Sequence, residues 1–545
     1  MKKLILTFTS IIFSLCLFAG CNSGGDYVKK GFKYQLNEDQ QSYTLVSYSG
    51  DDLNFVVPHY YEGKPVTKIS KDAFKSCSFT RVDLPESIES IGENAFNDKV
   101  NSIYFKGNVE DWCNVDIANS MFYDKTLYID NQLASNIIIP NTVEKIKANV
   151  FNGFKNIQSI EVSESVESID DNAFYYSSLQ TITFSENSNL KSIGRDAFSY
   201  TNLTNVEFPN NLETIGERAF SSSKLQKVVF KENSKLNSIY KYAFENCKDL
   251  EEVELPKSIK IIQDCAFNYC SNLKTVNFAN DCMLSTISSK VFKSCYDLQS
   301  IVIPSKVVSI ENEAFIDCKG LQSVEISESV QSIGEYAFYN CENLKSVNIK
   351  EKSELKHIEK SAFRDCKSLE SISIPQSVEY IRQSAFSGCA NMHTVNFEGY
   401  SNITSIENFV FHNCSSLANI TIPQRVTNIG KSAFEYCASL RSIEISSNVE
   451  VISEKAFYWS GLKTVTYSYG CKLRDIGTQA FDVTNIKEIE IPTTVQFMGE
   501  TVFYSLKTIT YLGSINSWNS ISKNANWDSK LENYQVICID GTISK

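Results

Sequence analysis

The chain has 545 residues, of which 42% are hydrophobic, 12% aromatic and 21% charged, with 10 Pro and 22 Gly; this composition excludes disorder over most of the length. The formal charge is −12 without a long run of one sign, which disfavours a nucleic-acid partner and describes a solvated surface. A chain this long divides into several globular domains unless it repeats, and it repeats.

Lys2 and Lys3 give a positive start, and residues 4–18 form an apolar stretch too short and too rich in Ser and Thr for a membrane span, so residues 1–20 read as a signal peptide. The stretch ends in Leu17-Phe18-Ala19-Gly20-Cys21, which resembles the lipobox of bacterial lipoproteins, with Phe18 where Leu is usual. The resemblance implies that Cys21 is lipidated and that the lipid is the only membrane anchor. Residues 21–31 then make a short tether.

Residues 32–66 alternate like strands, first around Phe32, Tyr34, Tyr43 and Leu45, then around Phe55 and Val66, and are expected to form an N-terminal β cap. Over residues 67–510 an Ala-Phe or Val-Phe dipeptide recurs, with Phe at 74, 96, 151, 174, 198, 220, 244, 267, 292, 315, 338, 363, 386, 411, 434, 457, 481 and 503. All intervals but one are 22 to 25 residues. One copy shows the physics. Val324 and Ile326 alternate with Ser323 and Glu325, the pattern of a short strand with one buried face. Val330 and Ile333 face the interior from a second segment, and Ala337-Phe338 closes the coil through a tight turn or a single helical turn. A lone coil cannot bury this wedge, so neighbours must stack into a solenoid with a long parallel sheet, about 85 Å for eighteen coils at about 4.8 Å each. Some strands exit through Pro, as at Pro209, Pro256 and Pro304, and others through a longer connection such as residues 185–190.

The long interval between Phe96 and Phe151 holds a variant coil with an insertion at about 103–136, and residues 511–545 are expected to be a C-terminal cap of the same type. Gly107 precedes Trp112, and Gly513 precedes Trp518, by the same five residues; Leu127-Tyr128-Ile129-Asp130 echoes Ile537-Cys538-Ile539-Asp540. Trp112 and Trp518 read as covers for exposed core, with a carbohydrate-stacking platform as the sharper alternative.

Cysteines at 77, 247, 270, 295, 318, 341, 366, 389, 414 and 437 share one repeat position, three after the Phe. One per coil is not the paired spacing of a zinc site, and they read as buried thiols packing as small hydrophobes, with some oxidation left open. His59, His357, His393 and His412 fall at unrelated repeat positions, and no nucleophile elbow or phosphate-binding loop is found. No enzyme activity, metal or cofactor is expected. The candidate binding face is the outward side of the long sheet: Thr181, Thr183, Asn205, Glu207, Ser323, Glu325, Ser346, Asn348, Ser371, Ser373, Thr394, Asn396, Asn419, Thr421, Ser442, Glu444, Thr464 and Thr466. Such residues also suit any solvated strand, and the scarcity of Trp, Tyr and Arg points to distributed contacts or to binding by loops and edges.

The repeat from Ile333-Gly334 through Ala337-Phe338 and Cys341 to Leu344 resembles the BspA-like leucine-rich repeat family, over nearly the whole chain after Tyr34. The resemblance implies a right-handed leucine-rich repeat solenoid on a bacterial cell surface that binds proteins in adhesion to host matrix or neighbouring cells. Glycan binding is the alternative.

Overall fold

The computed structural model describes residues 31–50, 52–118, 122–350 and 352–545; the leader, Cys21 and nearly all of the tether lie outside them. It is a β-solenoid of about 21 turns with parallel sheets and almost no helix. The turns beyond the eighteen Phe-anchored coils come from the N-terminal hairpin and from the coils opening at Ser102–Phe105 and Thr508–Tyr511, in which a helical turn carrying Trp112 or Trp518 joins the long-ladder strand to the short-ladder strand.

Each coil contributes one strand to a long ladder and one two-residue strand to a short ladder. In Ser323–Ile326, Val324 and Ile326 are buried while Ser323 and Glu325 are on the outer side; Ser332–Ile333 repeats this with Ile333 buried. The third corner is the Ala-Phe turn. It is not helical, because two residues per turn take left-handed backbone, for example Tyr336 (φ 55) and Asn340 (φ 59) on either side of Phe338. The amides of the turn point along the axis: Tyr336 N–H donates to Lys360 O at 3.1 Å, Phe338 N–H to Ala362 O at 2.8 Å and Asn340 N–H to Arg364 O at 2.9 Å. The Phe rings stack from coil to coil between Phe151 and Phe503, with centroids 5.0–5.9 Å apart. Each buried ring contributes about 1.5–3 kcal/mol. Gly334 lies where the coils touch: a Cβ there would sit 2.7 Å from Glu311 C.

The cysteine ladder has a polar role besides filling space. From Cys247 to Cys437 each thiol donates to the carbonyl of the preceding coil's Phe, at 3.1–3.3 Å. The fifteen described cysteines are thiols, all but Cys471 buried, and burial pushes the Cys247 and Cys414 thiols up to about 12.

The long ladder is not one sheet. It runs as a five-stranded segment ending at Gln132–Leu133, a thirteen-stranded segment from Asn136–Ile138 to Asn419–Ile420, a pair, and a four-stranded end. Connection length explains much of the irregularity. Thr181–Phe184 pairs over four residues with the strand before it but over one, Thr181–Asn205, with the strand after it. The same holds after Lys227–Phe230, Thr275–Phe278 and Ser346–Ile349. Each of these strands leaves through the longer connection, and its last apolar residue (Phe184, Phe230, Phe278, Ile349) is only half-buried, whereas Phe208 and Leu255, which exit through Pro, are buried.

At the front, Phe32–Leu36 and Tyr43–Tyr48 form an antiparallel pair. Residues 54–66, grouped with the cap by their pattern, already build a coil: Asn54–Val56 runs parallel to Arg81–Leu84, and Tyr60–Tyr61 turns back on Lys64–Ile69, which enters the short ladder. Both tail-like segments end in a strand with a hairpin return, Thr126–Ile129 with Gln132–Leu133 and Gln535–Cys538 with Gly541–Ser544. Their pairings equate Ile129 with Cys538, one position away from the alignment of the Asp residues, so the sequence echo is off by one in register.

Candidate functional site

The structure places the eighteen outward residues named above on the outer side of the long ladder, all at least partly exposed. Register brings them into rows along the axis: Ser323 beside Ser346 and Glu325 beside Asn348, Ser371 beside Thr394 and Ser373 beside Asn396, Ser442 beside Thr464 and Glu444 beside Thr466. Thr394 continues to Asn419, but Ser442–Ile445 belongs to a separate pair, so the wall is interrupted between Thr421 and Ser442. Rows of short hydroxyl and amide side chains give a surface with many hydrogen-bonding groups and little side-chain entropy to lose.

The wall is also indented. Where Thr275–Phe278 and Ser300–Val302 diverge there is a groove of about 880 Å³, and a second of about 550 Å³ lies between Asn205 and Gln299. Some charges flanking the wall are paired along the axis, such as Lys231 with Glu207 at 3.2 Å and Lys274 with Glu251 at 2.9 Å.

Trp112 and Trp518 are buried, which rules out the sugar-platform reading. The Trp112 indole N–H donates to Val150 O at 2.8 Å, into the next coil. Several exposed aromatics lie instead on the Ala-Phe turn edge, while Tyr400 and Tyr469 sit in the connections that leave the ladder strands Thr394–Phe397 and Thr464–Tyr467. Tyr123, Tyr176 and Tyr200 form one cluster, with Tyr176 and Tyr200 stacked at 5.2 Å, and Tyr436 with Trp459 at 6.3 Å forms another. Tyr176, Tyr200, Tyr269, Tyr436 and Trp459 occupy the left-handed position two after the Phe, where other coils carry Gly153, Asp317, Asn340 or Gly388. This backbone costs an L residue about 1–2 kcal/mol. Sequence reading missed this edge because it followed the strands; the signal was a Tyr or Trp recurring two residues after the anchor Phe.

The four histidines stay apart from one another. His357 stacks on Tyr380 at 4.3 Å, and His412 sits 3.4 Å from Ser387 Oγ, with burial lowering its pKa. Among the described residues no group of three or more His, Cys, Asp or Glu could hold a metal ion, and no helix is long and apolar enough to cross a membrane.

A stack of short parallel strands, one per coil along one wall, defines a leucine-rich repeat solenoid. The BspA type leucine rich repeat region matches in six overlapping copies, over residues 62–129, 116–247, 191–301, 237–355, 285–414 and 404–533, and the chain belongs to this family. No curated protein matches it. Among solved structures it is similar to a leucine-rich repeat protein from Bacteroides ovatus (21% identity, 81% of this chain and 99% of that one, TM-score 0.47). It is also similar to the pneumococcal vaccine antigen PcpA (17%, 94% and 97%, 0.37) and to a leucine rich cell surface protein from Faecalibacterium prausnitzii (19%, 92% and 99%, 0.26).

Proposed function

We propose that this chain is a lipid-anchored bacterial surface protein that binds other proteins through the outer wall of its long ladder, in adhesion to host or neighbouring cells. The observation that carries the reading is the wall itself: small polar side chains held in register over many coils, offering hydrogen bonds to a large partner. The anchor follows from Cys21 and the tether; Cys21→Ser is expected to move the protein from the membrane fraction to the soluble fraction on cell fractionation.

The test is capture of the purified chain on an array of immobilised extracellular-matrix proteins and glycans. Retention on protein spots is expected, and retention on glycans alone overturns the reading. Glycan binding stands as the second reading because Tyr436 and Trp459 expose ring surface on the turn edge, where sugars can stack.

A further inference from the structure

The larger groove in the wall has a chemistry of its own. Pairing between Thr275–Phe278 and Ser300–Val302 stops after Thr275–Ser300, because the chain leaves Phe278 through the long connection 279–284 rather than through Pro. The opening exposes an apolar patch: Phe278 is half-buried, and Val302 is 58% exposed beside Pro304. Asp281, Glu325, Glu328 and Lys350 line it. Glu325 and Lys350 form an ion pair and cancel. Asp281 and Glu328 are exposed, and neither forms an ion pair among the described residues. The groove therefore carries two uncompensated negative charges beside an apolar patch, in a protein whose net charge is already −12.

We propose that this groove docks an extended peptide segment of a partner protein, one that carries Lys or Arg on either side of an apolar side chain. The assignment rests on the protein-binding reading above and names the partner's chemistry. Charge complementarity selects the basic residues, since an acidic segment would meet Asp281 and Glu328 with like charge. The exposed Val302 and the half-buried Phe278 select an apolar residue between them. The dimensions agree. Four strands from Thr275 to Ser346 span about 14 Å at the ladder spacing, and an extended chain covers this in about four residues at about 3.3 Å each. Side chains at i, i+2 and i+4 of such a chain point to one side, so the recognised pattern is basic, apolar, basic at alternate positions.

The experiment is fluorescence anisotropy of the full chain with a labelled Lys-Ser-Val-Ser-Lys peptide, and with Glu-Ser-Val-Ser-Glu as its counterpart. The lysine peptide is expected to bind more tightly, and more weakly as salt rises. Asp281→Asn combined with Glu328→Gln is expected to weaken it about tenfold and flatten the salt dependence, while Glu335→Gln with Glu500→Gln, exposed and off the wall, leaves it unchanged. Equal binding of the two peptides, or an unchanged Kd in the first double variant, overturns the assignment. A matrix protein captured by the chain and not displaced by the lysine peptide also overturns it, and leaves the protein-binding reading standing; capture of glycans alone removes that reading as well.

Discussion

The variant coil inside the solenoid, after Ser102–Phe105, and the last coil, after Thr508–Tyr511, begin with the same local design and end differently. In each, a ladder strand (Ser102–Phe105 or Thr508–Tyr511) leads through Gly107 or Gly513 into one helical turn, Val109–Cys113 or Ile515–Ser520, which buries a Trp. Asn108 and Ser514 cap the two helices with their side chains. The difference lies at the next short-ladder strand. Ile117 pairs beside Ile91, and Lys523 holds the equivalent place beside Met498. Inside the solenoid the next coil stacks on: Phe122 meets Phe154 at 4.8 Å, Asn149 donates to Ile117 O at 2.9 Å, and Trp112 to Val150 O. At the end, Lys523 lies 4.6 Å from the Trp518 ring and donates to the carbonyls of Trp518 and Ile521, and Lys530 pairs with buried Asp482 at 2.7 Å. At this position the internal coil carries a hydrophobic residue and the last coil a lysine.

The largest expected effect is at the internal junction. Trp112→Ala should cost about 3–5 kcal/mol and split urea unfolding into two transitions, as residues 32–133 lose their grip on the coil beyond. Trp518→Ala should fray one terminal coil and leave a single main transition. If both variants melt alike, the two coils are not different in kind.

A smaller effect is expected at Asn156. Its side chain accepts from Leu127 N–H at 2.9 Å and donates to Leu127 O at 3.0 Å and Ala134 O at 2.8 Å, bridging the break between two ladder segments. Asn156→Ala should cost about 1–3 kcal/mol, read from the shift in denaturation midpoint.

The smallest effect is a pH dependence of the terminal cap. Burial, with Lys545 nearby, lowers the Lys523 pKa from 10.5 to about 8. Between these values the unfolded chain holds a proton that the folded chain has released, so stability should rise as pH climbs from about 8 towards 10.5, and below 8 the full cost of the charge is present. Thermal melts across this window should show the rise in the native chain and not in Lys523→Met.

Much of the fold was legible because the repeat writes it many times over: the Phe spacing, the alternation of Val324 and Ile326 with Ser323 and Glu325, and the Cys ladder all map onto the coil. The breaks in the ladder were not legible. They depend on whether a connection such as 185–190 lets the next strand keep its register, which the alternation pattern does not encode. The left-handed turn was hidden for a related reason, since Tyr200 and Trp459 are residue types that do not announce positive φ. Asn156 was invisible too, because its role exists only across the junction. Of the candidate site, the outward rows could be read from strand period alone, whereas the grooves and the aromatic turn edge needed coordinates.

The protein-binding wall and the turn edge can be set directly against each other by measuring how the chain binds a matrix protein that captures it. One variant set places charge on the wall, Thr183→Lys, Ser373→Lys and Thr466→Lys; the other strips the edge, Tyr176→Ala, Tyr200→Ala and Trp459→Ala. The wall set should lose at least tenfold in affinity, about 1.4 kcal/mol or more, while the edge set stays near the native value. Loss in the edge set with an unaffected wall set would contradict the account.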